Sequence, residues 1–234
     1  MNDLKAKLRR ASKVAVLTGA GVSAESGIAT FRGSGGLWRS YRPEDLANPQ
    51  AYARNPDLVW DWYYGRFKHA IAATPNDAHL ALASLAQQKD LTLVTQNVDG
   101  LHLRAGSDHV LELHGNLTKS RCEACKHLDE LSLKTSLPPK CSRCGSRARP
   151  NVVWFGEMLS RQILDEAVSA FSSADMALII GTSAVVEPAA SLARMAKADG
   201  AFVLEINPEA TPLSHMVDAH LAMPASVAMR ALLS

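Results

Sequence analysis

Val14-Ala-Val-Leu-Thr-Gly-Ala-Gly-Val-Ser-Ala-Glu-Ser-Gly-Ile-Ala-Thr-Phe-Arg32 is the stretch on which the reading of this chain turns. It opens with an apolar run, residues 14–17, too short for a helix and β-branched enough for a buried strand. Gly19, Gly21 and Ala24 then make a G-x-G-x-x-A pattern between that strand and an expected helix. In such a setting glycines permit a tight turn and close approach of the backbone to a pyrophosphate. The helix N-terminus adds unpaired N–H groups and a positive dipole end. An ordinary strand–turn–helix corner carries the same letters. Two features sharpen the dinucleotide reading. Glu44 and Asp45 sit in a Pro-rich polar stretch with no strand before them, so the acidic ribose partner of a dehydrogenase is missing. Phe31 and Arg32 directly follow the loop and set an aromatic plate and a fixed cation beside the expected phosphates.

The rest of the chain has the composition of a soluble globular protein. Its 234 residues, 47% hydrophobic and 21% charged, suffice for one large domain or one with a small insert. A formal charge of +2 gives no argument for a nucleic-acid partner. Residues 1–10 are charged throughout and lack an apolar core, so no secretory leader is expected. No apolar run approaches the length of a membrane span. The expected location is cytoplasmic, where four cysteines serve as ligands rather than disulfides.

Outward from the glycine loop, apolar spacing alternates between short strands and helices. Residues 3–11 predict a charged amphipathic helix leading into the first strand. Residues 33–48 form a loop long enough to be a lid, with short helices over 49–55. Residues 57–73 predict a helix whose Trp60, Tyr63, Tyr64, Phe67 and Ile71 form a core stripe. Tyr63 and Arg66 share one edge of it; by themselves they read as a packed aromatic and a solvated cation. A further helix covers 76–88. A strand over 91–95 ends in Gln96, Asn97, Val98, Asp99, Gly100, Leu101 and His102, and a third over 110–113 ends in His114. Polar residues at the carboxyl ends of strands face the ligand crevice of an α/β fold. Asn97, Asp99 and Gly100 are equally good turn formers, whereas His114 is a candidate base near neutral pH. Residues 150–157 read as extended. Strands over 176–180 and 202–206 end in Gly181, Thr182, Ser183 and in Asn207, with helices over 161–171, 188–198 and 225–233. The alternation predicts a Rossmann-like, doubly wound parallel sheet, built from residues 1–29, 81–118 and 149–234. Residues 30–80 form a cofactor loop and helical insertion, and residues 119–148 a metal-binding module.

That module carries the strongest ligand signal. Cys122-x2-Cys125 and Cys141-x2-Cys144, fifteen residues apart, fit two knuckles that bring four thiolates onto one tetrahedral Zn²⁺. Four sulfurs fill the coordination sphere, so the metal is structural. The stretch between them is poor in apolar residues and depends on metal to fold. A DNA-reading ribbon is the alternative, resting on the local basic residues.

Taken together, Gly19-Ala-Gly-Val-Ser-Ala-Glu-Ser-Gly27, Thr30-Phe-Arg32, Gln96-Asn-Val-Asp-Gly-Leu-His102, Leu113-His-Gly115, the four cysteines, Val153-Trp-Phe-Gly-Glu157 and Gly181-Thr-Ser183 occur in the order found in sirtuins, the NAD-dependent protein-lysine deacylases. The chain resembles that family from about residue 13 onward. Tyr63-x-x-Arg66 falls where the branch that prefers acidic acyl groups carries its Tyr and Arg. Val98 stands where Ile is commoner, and Asn151 where relatives often have His or Asp; Asn151 is assigned no role.

The resemblance implies that NAD is consumed. The acyl-lysine carbonyl oxygen attacks the nicotinamide-ribose carbon, and lysine, nicotinamide and O-acyl-ADP-ribose are released. It casts His114 as the general base toward a ribose hydroxyl and Asn97 as the residue positioning ribose and water. Asp99 would hold the nicotinamide carboxamide and Phe31 would cover the reacting centre. Arg32 and the backbone of Gly19, Ala20, Gly21 and Ala24 would neutralise phosphates. Ser183 and Asn207 would take the adenosine ribose and Ala225 the adenine edge. Glu25, Thr30, Trp38, Gln96, Val98, Gly181, Thr182 and Glu209 join them as cofactor contacts. Val153, Trp154, Phe155, Gly156 and Glu157 would pair with the substrate peptide as an added strand, while Tyr63 and Arg66 read the acyl group, succinyl or malonyl ahead of acetyl. The expected partners are acylated-lysine proteins, without nucleic acid or membrane, and the expected state is a monomer. A mono-ADP-ribosyltransferase using the same NAD site is the alternative. A plain dehydrogenase would fit the glycine loop but not the Gln96–Asp99 and His114 constellation, and a binding module would need no base at residue 114.

Overall fold

The computed structural model describes residues 1–31, 37 and 42–234. In chain order its strands are β1 (Lys13–Thr18), β2 (Asp90–Thr95), β3 (Val110–Glu112), β4 (Gly115–Cys122), β5 (Leu128–Glu130), β6 (Ala148–Val152), β7 (Met176–Ile180), β8 (Phe202–Ile206) and β9 (Ala219–Leu221). The helices are α1 (Asn2–Arg10), α2 (Pro43–Leu46), α3 (Pro49–Arg54), α4 (Pro56–Ala72), α5 (Asp77–Ala86), α6 (Leu101–Arg104), α7 (Arg161–Ser172), α8 (Ala189–Ala198) and α9 (Ala225–Leu233).

The doubly wound sheet expected from the alternation is present. Six strands run in the order β3-β2-β1-β7-β8-β9, every adjacent pair parallel. Successive side chains of β1 point to opposite faces. Val14 and Val16 enter a core shared with Leu4, Leu8, Leu82 and Met229 of α1, α5 and α9. Ala15 and Leu17 enter the other core, with Phe171 of α7 and Leu192 of α8. A strand covered on both faces must be apolar throughout. Val16 and Leu17 are both fully buried, and burial of such a side chain contributes about 1.5–3 kcal/mol.

The glycine loop departs from expectation. No α-helix follows β1; residues Ala20–Ser26 form a 3₁₀ helix that stops at Gly27, which has a left-handed φ of 82°. The side-chain amide of Asn76 donates to the Val22 carbonyl at 2.8 Å, so that oxygen is taken by a neighbour instead of by an α-helical N–H. Backbone bonds from Gly19 to Ile180 (3.0 Å) and from Gly21 to Gly181 (2.8 Å) draw the loop down onto the end of β7. A Cβ on Gly19 or Gly21 would lie 2.7 or 2.8 Å from the Gly181 carbonyl oxygen, so these glycines serve this backbone packing.

A second sheet, antiparallel and ordered β5-β4-β6, starts at Gly115 and runs to Val152, overlapping both borders drawn for the metal module. Helices α3 and α4 cover it. Each starts where an Asn accepts a backbone N–H and Pro holds the first turn: Asn48 from Ala51 (2.7 Å) and Asn55 from Leu58 (3.0 Å). Tyr52 and Trp60 pack there with Leu117 and Val152, and both donate to the Ala148 carbonyl, at 2.9 and 3.0 Å. No helix among the described residues is long and apolar enough to cross a membrane.

Candidate active site

The carboxyl ends of β1, β2, β7 and β8 and the edge of the small sheet enclose a cavity of about 880 Å³. Such a volume lies in the upper part of the range of small-molecule sites. Gly19, Ala20, Gly21, Thr30, Phe31, Gln96, Asn97, Val98, His114, Gly181, Thr182, Ser183, Asn207 and Glu209 line it, as do Tyr63, Arg66 and residues 153–157. The crevice at the strand ends therefore gathers most of the residues singled out from the sequence. Arg32 and Trp38 lie outside the described residues.

Four of the expected contacts do not line this cavity. The Glu25 carboxylate accepts from Ser226 N (3.0 Å) and Ser226 Oγ (2.6 Å) and so caps α9. Ala225 is buried in the core beneath it. Ala24 is exposed on the 3₁₀ turn. Asp99 lies behind the cavity wall, accepting from Ser23 Oγ (2.8 Å) and Leu101 N (2.9 Å); the second bond opens α6 after left-handed Gly100.

His114 sits where β3 gives way to β4. Its Nδ1 is 3.0 Å from the Gln96 carbonyl oxygen. A carbonyl only accepts, so Nδ1 carries the proton and Nε2 keeps its lone pair. Burial pushes the imidazole below its ordinary pKa, with the Gln96 carbonyl opposing. The ring is therefore neutral at pH 7 and fit to take a proton. Gly115 makes the turn possible: its φ is +80°, and a Cβ there would lie 2.2 Å from the Asn151 carbonyl oxygen.

Asn97 lies on the β2 side. Its Nδ2 donates to the Gly19 carbonyl (3.1 Å) and to Ser23 Oγ (3.2 Å). Gln96 donates to Thr182 Oγ1 (2.9 Å), and Asn207 to the Thr182 carbonyl (2.9 Å). These bonds tie the polar ends of β2, β7 and β8 together across the cavity. Ser23, Thr18, Thr95 and His79 had no distinguishing spacing in the sequence; they join this network only through the fold.

Tyr63 is buried and Arg66 half-buried on the edge of α4, so the solvated cation read from the sequence is corrected. Trp154 Nε1 donates to Tyr63 Oη at 3.0 Å, leaving the Tyr63 proton free to donate. Burial pushes the Tyr63 phenol up to about 12. The Arg66 guanidinium lies 4.7 Å from the Phe31 ring centroid and 4.8 Å from that of Trp62. Burial lowers its pKa, against the pull of Tyr63 and Asp99. No carboxylate among the described residues pairs with it, so a stacked, desolvated cation faces the cavity.

Only the start of the stretch expected to be extended is a strand. β6 ends at Val152, and residues 155–156 form a turn. Glu157 braces it, accepting from Trp154 N (2.9 Å) and in bidentate fashion from Arg149. Burial alone would raise the Glu157 carboxyl, but the Arg149 bonds outweigh it and hold it below the usual range. Val153 N donates to the His114 carbonyl and Phe155 N to that of Ala47, both at 2.9 Å.

Away from the cavity, the sulfurs of Cys122, Cys125, Cys141 and Cys144 all lie within 4.8 Å of one another. The Cys122–Cys144 and Cys125–Cys141 separations are 3.5 and 3.7 Å. Disulfides need about 2.05 Å, whereas sulfurs about 2.3 Å from a tetrahedral zinc stand about 3.8 Å apart. The four cysteines are thus positioned to bind one zinc ion, and no cysteine lines the cavity.

Known proteins resemble this chain in sequence and in fold. The Sir2 family model matches residues 19–188. An NAD-dependent protein deacylase of Thermus thermophilus is 51% identical over 228 residues, 95% of this chain and 89% of that protein. NAD-dependent protein deacylase 1 of Archaeoglobus fulgidus is 53% identical over 205 residues, 86% of this chain and 84% of that protein. A solved Sir2 homolog–NAD complex has a TM-score of 0.93 and 48% identity, covering 100% of this chain and 92% of that one. A Sir2–p53 peptide–NAD+ structure has a TM-score of 0.90 and 31% identity, covering 100% and 97%. With half of the aligned positions identical over nearly the whole chain, a solved Sir2 homolog superposing over all of it and the family model matching residues 19–188, this chain belongs to the Sir2 family.

Proposed function

We propose that the protein removes acyl groups from lysine side chains of other proteins and consumes NAD in doing so. NAD accepts the acyl group as O-acyl-ADP-ribose once nicotinamide has left, and the lysine is freed. The observation that carries the reading is the neutral His114 with its Nε2 lone pair free, in the same cavity as the glycine loop and Asn97. His114 removes a proton from a ribose hydroxyl, which makes that oxygen nucleophilic toward the acyl carbon. Asn97, held by Gly19 and Ser23, positions the ribose and a water. The Gly19–Gly21 backbone and Asn207 line the cofactor side; the rim from residue 153 to 157 receives the peptide, with residues 152–154 its extended edge. Incubation with an acylated peptide and NAD, followed by mass spectrometry, tests this. Free nicotinamide and acyl-ADP-ribose are expected. ADP-ribose attached to protein would mean a mono-ADP-ribosyltransferase instead.

The acyl group preferred is an acidic one, succinyl or malonyl. Arg66 without a carboxylate and Tyr63 with a free proton support this: a distal carboxylate supplies the missing acceptor to both, and charge-assisted bonds are about twice as strong as neutral ones. Thiols gathered for a metal favour a reducing compartment, the cytoplasm. We read the chain as a cofactor-binding parallel-sheet unit, a helical insertion and a zinc module.

A further inference from the structure

Two buried histidines stand behind the cavity wall, and a hydrogen-bond chain leads from each of them to Asn97. His79 is fully buried and His102 is 2% exposed; their ring centroids are 4.8 Å apart at 55°. The His79 chain reaches the Asn97 side chain. His79 Nδ1 accepts from Asn76 N at 3.3 Å, so its Nε2 carries the proton and donates to Ser23 Oγ, also at 3.3 Å. Ser23 Oγ additionally accepts from Asn97 Nδ2 and donates its own hydrogen bond to Asp99. The hydroxyl is saturated.

The His102 chain reaches the Asn97 backbone. Thr18 and Thr95 are register partners at the ends of β1 and β2, with Thr18 Oγ1 donating to Thr95 Oγ1 at 2.8 Å. Thr95 Oγ1 accepts the Asn97 N–H at 3.0 Å. With its proton so committed, Thr18 Oγ1 accepts from His102 Nε2 at 2.9 Å. His102 Nδ1 has no partner. As a bare lone pair it is the cheaper of the two groups to leave unmet, since orphaned buried N–H groups are rare. A phenylalanine would fill this volume with no unmet ring atom but would take the donor from Thr18 Oγ1, so the Nε2 proton is what an imidazole supplies here.

Resting on the deacylase reading of the cavity, we propose that His102 is a positioning residue for Asn97. Its Nε2 proton orders the Thr18–Thr95 hydroxyl pair, which pins the backbone that carries the Asn97 carboxamide. His79 secures the carboxamide itself through Ser23, and contact between the two rings makes the support one unit. His102 does not line the cavity, so its effect falls on the placement of Asn97 during reaction.

The test compares His102→Phe, which fills the volume without a donor, with His102→Gln, whose amide N–H restores a donor near Nε2. Thr18→Val, which cuts the chain one step later, and the double variant His102→Phe/Thr18→Val complete the set. Misplacing a reacting group by an ångström costs about 10²-fold. His102→Phe and Thr18→Val should therefore each lower kcat by about 10- to 100-fold, with KM for NAD and acyl-peptide within about twofold. His102→Gln should recover most of the loss, and the double variant should be no slower than either single one. Unchanged kcat, a loss confined to KM, failure of His102→Gln at unchanged Tm, or losses that multiply would each overturn the proposal. If His102→Phe does not fold, Thr18→Val against His102→Gln reads the same chain. A wild type that releases no nicotinamide overturns the deacylase reading and this one with it, whereas indifferent variants of an active wild type overturn this one alone.

Discussion

His114 donates through Nδ1 to the Gln96 carbonyl at 3.0 Å, and that single bond leaves Nε2 as the ring nitrogen with a free lone pair. His114→Ala should lower turnover by about 10²- to 10⁴-fold, the usual worth of a general base, while NAD still binds. Because burial depresses the imidazole pKa, the acid limb of kcat/KM should lie below the ordinary value of about 6.5. A pH profile and NAD titration of the variant check both points; loss of NAD binding, or a limb above that value, would contradict the assignment.

Arg66 and Tyr63 should set the acyl preference. A hydrogen bond to a charged group contributes about 1.5–3 kcal/mol, so Arg66→Met should lower the succinyl-to-acetyl ratio of kcat/KM by about 10- to 100-fold. Tyr63→Phe should lower it less. It should also destabilise the protein by about 1–3 kcal/mol, because Trp154 Nε1 loses its acceptor. Matched succinyl and acetyl peptides give the ratio, and a ratio unmoved by Arg66→Met leaves a general deacylase.

Cys141→Ser should cost zinc and structure together. The segment from residue 123 to 147 has few apolar residues beneath it, so metal binding there is folding free energy. We expect less than one zinc per chain and a Tm lower by about 10 °C, the shift given by several kcal/mol in a chain of this size. Metal analysis and a thermal melt settle it, and a variant with full zinc and unchanged Tm would falsify the closed site.

Stability should fall in mild acid. Burial, and next the neighbouring His79, lowers the His102 pKa to about 3, whereas an unfolded imidazole titrates near about 6.5. Stability tied to the neutral ring is therefore fully present above about pH 6.5 and lost as pH falls toward about 3, at up to about 1.4 kcal/mol per pH unit. His79, lowered likewise by burial, acts in the same direction. Urea midpoints measured from pH 7 to 4.5 should decline in the wild type and decline less steeply in His102→Gln; equal slopes would show that the ring does not titrate in this way.

Residue type and local spacing alone determined the parallel sheet, the strand ends that meet at the cavity and the four-cysteine cluster. These features are written in runs of apolar residues, in the polar residues that close each strand and in the Cys-x2-Cys pairs. Short-range physics is enough for them. Only the tertiary structure decided the 3₁₀ turn after β1, because the competing bonds come from Asn76 and Gly181, far along the chain. It also turned Glu25 away to cap α9 and used the Glu157 carboxylate to brace a turn. Arg66 could be read as solvated until Phe31 and Trp62 were brought against it. His102 was visible in sequence as one letter of a motif, but its hydrogen bond to Thr18, paired with Thr95 on the neighbouring parallel strand, is set by the fold. The partners of Glu25, Asn97 and His102 lie dozens of residues away along the chain, and spacing along one segment carries no record of them.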